Sequence, residues 1–180
     1  SSTTSGFRAY GSDNLLNGVS ADLIAGISLG DVRLISNAYG AGAYLPLAFH
    51  TGGSERMRID TSGNVLVTNA AGIGYGVGAG GTVVQATSKS TTVTLNKPCG
   101  RIVMHNAALA AGASVLFNFT NATIASSDEV SLTMISGANY RVEPIDIWNG
   151  GCAFRVTNIS ASSLSNALAF NFKVFKVALS

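Results

Sequence analysis

Few residues of this chain could do chemistry, and most of them lack the company that chemistry needs. Two carboxylate pairs stand close together, Asp128/Glu129 and Glu143/Asp146. Glycoside hydrolysis uses two carboxyl groups about 5–10 Å apart across a sugar. Asp128 and Glu129 follow Ala-Ser-Ser in a turn pattern, which predicts side chains pointing apart into water. Glu143 and Asp146 flank Pro144 in one strand pattern. A spacing of three puts them on opposite faces of a regular strand, and a bulge at Pro144 would change that. Neither His50 nor His105 has a recognisable Ser or Asp partner pattern, and no Gly-x-Ser-x-Gly occurs. The Gly-x-Gly spacing within 72–81 is followed by a strand pattern, whereas a nucleotide fingerprint opens a helix. Cys99 and Cys152 show no CxxC spacing, and with the two histidines they would make a zinc site only by coincidence of fold. They read as two buried thiols, with a Cys99–Cys152 disulfide left open. The expectation is no catalytic set, no metal, no cofactor and no enzyme.

Binding residues stand out more. Trp148, the lone tryptophan, ends a strand pattern before Asn149-Gly150-Gly151, and Tyr140 and Arg141 begin that strand after Gly137-Ala-Asn139. Aromatic faces suit sugar C–H groups, and neighbouring amides and charges suit hydroxyls. Trp148, Tyr140, Arg141 and Asn149 are therefore the candidate receptor-binding set for a carbohydrate. The competing reading places Trp148 in the core or in a subunit interface. Three triplets, at Asn118, Asn121 and Asn158, fit the N-glycosylation pattern.

The whole chain narrows the classes. Of 180 residues, 47% are hydrophobic and 11% charged, against about 25% charged in ordinary soluble domains. Disorder is excluded by that hydrophobicity. No apolar run approaches the roughly 18–20 residues of a spanning helix, so no membrane insertion is expected. Net charge is +2, from 11 Lys+Arg and 9 Asp+Glu spread along the chain, which argues against a nucleic-acid partner. No basic start or apolar stretch at 1–6 suggests a leader.

These residues must be positioned by strands. Residues 31–36, 45–50, 55–60 and 65–68 are short patterned pieces separated by Thr51-Gly-Gly-Ser54 and Thr61-Ser-Gly-Asn64 turns. Residues 15–29 are loosely compatible with a helical stripe, but Gly18, Gly26, Ser20 and Ser28 favour strand or irregular structure. Six glycines within 69–81 mark a linker. Beyond it, strands are expected at 82–86, 91–95, 100–105, 113–118, 129–136, 141–148, 153–159 and 167–178, evenly spaced as in a sandwich or jelly roll. The predicted organisation is all-β: short strands over 1–68, a Gly-rich linker over 69–81, and a C-terminal β-sandwich, jelly-roll-like domain over 82–180. Short strands in the first part cannot bury a core alone, and copies of themselves from other chains are the simplest neighbours.

Residues 49–68, Phe-His-Thr-Gly-Gly-Ser-Glu-Arg-Met-Arg-Ile-Asp-Thr-Ser-Gly-Asn-Val-Leu-Val-Thr, resemble a motif widespread in tail fibres and tailspikes of bacteriophages. After Asn64-Val65 the family's Gly-Ile-Gly-Thr is replaced by Leu66-Val67-Thr68, and a Gly-Ile-Gly follows at 72–74. Residues 80–180, opening on Thr-Val-Val-Gln-Ala-Thr-Ser-Lys-Ser-Thr-Thr-Val-Thr-Leu-Asn-Lys-Pro-Cys-Gly-Arg-Ile from Thr82, resemble C-terminal β-domains of such fibres. The resemblance implies a homotrimer with strands interleaved around a shaft formed by 1–68, which Tyr10, Tyr39, Tyr44 and Tyr75 are expected to line. Glu55, Arg56, Arg58 and Asp60 would then be placed either for cross-chain ion pairs or as a solvated strand face. It also implies a virion protein of the tail fibre or tailspike that recognises bacterial surface polysaccharide or lipopolysaccharide. The alternative is a non-catalytic trimerisation and stability module at the end of a polysaccharide-degrading tailspike.

Overall fold

The computed structural model describes residues 4–10, 18–26, 31–68 and 72–178. Its described residues form strands joined by turns and loops, with no helix, and the chain is all-β. It divides into two compact units, Ser1–Gly74 and Tyr75–Ser180.

The first unit contains two three-stranded antiparallel meanders. One joins β1 (Thr4–Tyr10), β2 (Gly18–Gly26) and β3 (Asp31–Tyr39) in that order. The 15–29 region is thus strand over Gly18–Gly26, and the rest of that segment lies outside the described residues. The other meander joins β4 (Leu47–Thr51), β5 (Ser54–Ile59) and β6 (Val65–Val67). Its first turn uses Gly52 and Gly53 at φ of +59° and +77°, a backbone region that glycine enters at no steric cost. Its second is closed by Asp60, whose Oδ1 accepts from the backbone N–H of Ser62 and of Asn64, each at 2.9 Å.

The register of the β4-β5-β6 sheet explains its faces. Arg56 is an extra residue opposite the Phe49–His50 step, a β-bulge that shifts side-chain parity. Leu47, Ile59 and Val65 fall in one cross-strand row, and Phe49, Met57 and Val67 in the next. All six share a face. Phe49 and Ile59 are more than a third exposed and Val65 is 61% exposed, while Leu47, Met57 and Val67 are half-buried, so this face is only partly covered in the single chain. On the other face Arg58 donates to Glu55 through Nε at 2.7 Å. Of the four charges expected to reach other chains, Glu55 and Arg58 pair within their own strand, Arg56 donates through Nε to Thr51 Oγ1 at 2.9 Å, and Asp60 closes the turn.

The second unit builds two four-stranded sheets around one core. One sheet has the order β11-β14-β9-β7, from Glu129–Ser136, Ala169–Phe175, Cys99–Val103 and Thr82–Val84. The other has the order β12-β13-β10-β8, from Tyr140–Trp148, Gly151–Asn158, Ser114–Thr120 and Val93–Thr94. All eight strands expected after the linker exist. The last is shorter than its pattern, because Lys176 turns away to pair with Asp128. The edge pairs β7/β9 and β8/β10 run parallel, unlike the antiparallel pairing of a regular jelly roll.

Alternation fills the space between these sheets. Phe117 and Phe119 of β10 and Cys152, Phe154 and Val156 of β13 face Phe170, Phe172 and Val174 of β14. Phe119 meets Phe172 edge-on at 4.7 Å between centroids, and Phe154 meets Phe170 at 5.5 Å. Such geometries are favoured by the ring quadrupole. Buried asparagines hold the loops. Asn158 Nδ2 donates to the carbonyls of Leu109, Ala110 and Ser162, while its Oδ1 accepts from the N–H and hydroxyl of Ser160. Asn121 accepts in the same way from Thr123 and donates to Lys97 O. Two of the three Asn-x-Ser/Thr triplets are therefore buried side-chain turns.

Candidate functional site

The four candidate binding residues do not form one cluster. They lie on or just beyond β12, the edge strand of its sheet. Tyr140 and Arg141 begin the strand and Trp148 ends it, a separation of about 26 Å at 3.3 Å per residue. They also differ in direction. A spacing of eight puts Tyr140 and Trp148 on the same face of a regular strand, but Ile145 is an extra residue between Pro144 and Asp146. The bulge reverses parity: Tyr140 pairs with inward-facing Asn158, and Trp148 with Gly151 on the outer face. Tyr140 is accordingly only 4% exposed. Its hydroxyl donates to Asn166 Oδ1 at 3.3 Å and its ring lies 5.3 Å from Lys89 Nζ. It presents no open ring to a sugar, and burial pushes its phenol pKa up.

Trp148 is half-buried on the outer face. Its indole lies across Gly151, where a Cβ would come within 3.2 Å of Trp148 Nε1 and 2.4 Å of Phe119 O. Only glycine admits both the ring and the neighbouring strand. The row that begins with Trp148 and Gly151 continues through Thr120 and Thr94, and the adjacent row contains Asp146, Ala153 and Asn118. Thr94, Asn118, Thr120 and Asp146 are all exposed. An aromatic platform thus stands beside a carboxylate, an amide and hydroxyls on one sheet surface. Asn149 is exposed in the following turn, where its Oδ1 accepts from Ser126 N–H at 2.9 Å. Arg141 is exposed two rows beyond Asp146, opposite Thr157. Of the original set, Trp148 and Asn149 remain together; Asn118, Thr120 and Asp146 join them through pairing that sequence spacing does not reveal.

The chain matches no known protein family, no curated protein and no solved structure.

The other chemical groups are engaged in structure. Asp128 does not point into water: it is 6% exposed, accepts from Ala125 N–H at 2.7 Å and pairs with Lys176 at 2.6 Å. Those two partners, the amide first, hold its carboxyl below the usual range. Its neighbour Glu129 is exposed. Glu143 and Asp146 share the outer face because of the bulge, and Glu143 meets Arg155 at 3.3 Å on an open surface. Cys99 and Cys152 are free thiols; burial pushes Cys152 up to about 12, so it is no nucleophile at neutral pH. Lys89 is 3% exposed and donates to His105 O and Asn166 O at 2.6 and 3.0 Å. Burial lowers its pKa, but enclosure keeps it from any substrate. Among the described residues no three His, Cys, Asp or Glu side chains gather as a metal site.

Proposed function

We propose that this chain is a distal module of a phage tail fibre or tailspike, which attaches to bacterial surface polysaccharide or lipopolysaccharide as a homotrimer. The observation that carries the reading is the Trp148 surface: a half-buried indole on the outer face of β12, with Thr120 in its row and Asn118 and Asp146 in the next. Ring stacking and amide, carboxylate and hydroxyl contacts are the chemistry of sugar recognition. The resemblance of residues 49–68 to fibre motifs supplies the setting, a virion. The partly exposed Leu47, Phe49, Met57, Ile59, Val65 and Val67 face supports trimerisation, because an apolar sheet face of this kind is stabilised by burial against copies of itself. Three weak sites on one assembly gain avidity without any new contact.

The reading assigns no catalytic role to any residue. Its runner-up is a non-catalytic trimerisation module at the end of a polysaccharide-degrading tailspike, and the same apolar face favours it. A glycan array probed with the full chain separates them. Saturable binding lost in Trp148→Ala, and weakened in Asn118→Ala, supports attachment. Silence across bacterial glycans, with a stable trimer, supports the structural module. Solution mass by light scattering tests assembly: three chains of 18.3 kDa give about 55 kDa. A monomer at all concentrations would remove the trimer.

A further inference from the structure

A second polar surface lies on the opposite sheet. A cleft of about 380 Å³ opens on the outer side of β14, β9 and β7, lined by Tyr75, Thr82, Cys99, Arg101, Asn171 and Lys173 among others. The register places Thr82, Arg101 and Asn171 in one row and Cys99 and Lys173 in the next. Arg101 and Lys173 are therefore diagonal neighbours, about 7–8 Å apart.

Two features of this cleft suit an anion. Of the unit's other cations, Lys176 pairs with Asp128, Arg155 with Glu143, and Lys89 and Lys97 with backbone carbonyls, while Arg141 stands exposed on the other sheet. Arg101 and Lys173 meet no carboxylate within 4.0 Å among the described residues; Glu129, the nearest acid on this face by register, is opposite Phe175 and diagonal to Lys173. Arg101 is also oriented. Its Nε donates to Asn171 Oδ1 at 3.1 Å, which leaves both terminal nitrogens for a two-point contact. A planar guanidinium held this way matches a carboxylate. Tyr75 supplies the other half of a sugar site. Its hydroxyl donates to Val174 O at 2.7 Å, which fixes the ring, while 44% of the residue stays exposed. The sequence pattern groups Tyr75 with the shaft, whereas it belongs to the second unit.

We propose that the Tyr75–Arg101–Lys173 cleft binds a carboxylate-bearing sugar, with Arg101 and Lys173 on the carboxylate and Tyr75 against the ring. Thr82 and Asn171 are placed to meet ring hydroxyls. The site goes beyond the Trp148 surface, on the other sheet, and does not depend on it.

Cys99 provides the readout. It lines the cleft and is partly exposed, whereas Cys152 is fully buried, so a thiol reagent modifies Cys99 alone in the folded chain. Trigalacturonate is the probe and neutral galactotriose the control. With a Kd of roughly 1 mM, a tenfold excess slows Cys99 modification about tenfold. The expected result is protection by trigalacturonate, none by galactotriose, and loss of protection in added salt, in Arg101→Gln and in Lys173→Gln. Modification of Cys152 reports any variant that fails to fold, and the unsubstituted chain then decides alone. Equal protection by the neutral sugar, protection by mannose 6-phosphate but not trigalacturonate, or no protection by any probe overturns the proposal. Trp148→Ala leaves the protection unchanged, so failure of this cleft and failure of the Trp148 surface are separate results.

Discussion

In the second unit Phe119, Phe154, Phe170 and Phe172 are at most 1% exposed; in the first, Leu34, Tyr44, Leu45 and Val65 are at least half exposed. Both units are made of short strands with alternating side chains. The difference lies in what each sheet has to face. In the second unit two four-stranded sheets turn their apolar sides toward each other, and every residue of the buried cluster comes from that unit. In the first, the β4-β5-β6 sheet has an equally regular apolar face and, among the described residues, no comparable aromatic layer over it. Alternation alone does not make a core; it makes a face, and the core depends on a second face being available. The proposed trimer supplies that second face from other chains.

The largest expected effect breaks the first unit's side of the comparison. Met57→Asp places a charge in the middle of the apolar row with Phe49 and Val67. The mass in solution should fall about threefold, from trimer to single chain, while the melting transition of the second unit stays in place. An unchanged trimer would mean that assembly uses another surface.

The second unit should behave in the opposite way. Phe154 is fully buried against Phe117, Phe119 and Phe170. Phe154→Ala should destabilise this unit by about 3–5 kcal/mol in a denaturant titration, without altering subunit number. Asn158→Ala comes next. It strands the carbonyls of Leu109, Ala110 and Ser162, and unsatisfied buried groups cost about 1–3 kcal/mol. An effect near zero would show that water replaces the side chain.

Acid sharpens the contrast further. The Asp128 carboxyl has a folded pKa below its unfolded value, through Ala125 N–H and then Lys176. Its contribution is complete above the unfolded pKa of about 3.9 and is lost as pH falls through the folded value. The melting-temperature difference between the unsubstituted chain and Asp128→Asn should be constant near neutrality and shrink in the acid range. A difference that grows with acid would contradict the assignment.

Much of this was legible in residue order. Alternation in Ser114-Val-Leu-Phe-Asn-Phe-Thr120 and in Phe170-Asn-Phe-Lys-Val174 gives the inward residues correctly, because both strands run unbroken through a sheet. The glycine run also reads as a change of structure, although Tyr75 within it packs on the second unit. The candidate site was less legible, since strand pairing decides it. Nothing in the spacing of Trp148 indicates that Thr120 and Asn118 lie beside it, because they come from β10 across β13. Asp128 reads as a solvated turn residue until Lys176, 48 positions later, is brought to it.

Parity was the main obstacle, and both units show the same cause. Arg56 in β5 and Ile145 in β12 are each an extra residue in a paired strand. Each bulge brings residues three apart onto one face: Glu55 with Arg58, and Glu143 with Asp146. Ion pairs on these two faces give the smallest predicted effect. Glu143→Gln removes the Arg155 contact, in which both side chains are over a third exposed, and should cost well under about 1 kcal/mol. Glu55→Gln removes the Arg58 contact, and should lower the melting temperature no more than Glu143→Gln does if that face of β5 meets water in the assembly. A clearly larger drop, seen only in the trimer, would mean that neighbouring chains cover the polar face as well as the apolar one. That result would favour strands interleaved around a common axis over three sheets that merely share their apolar sides.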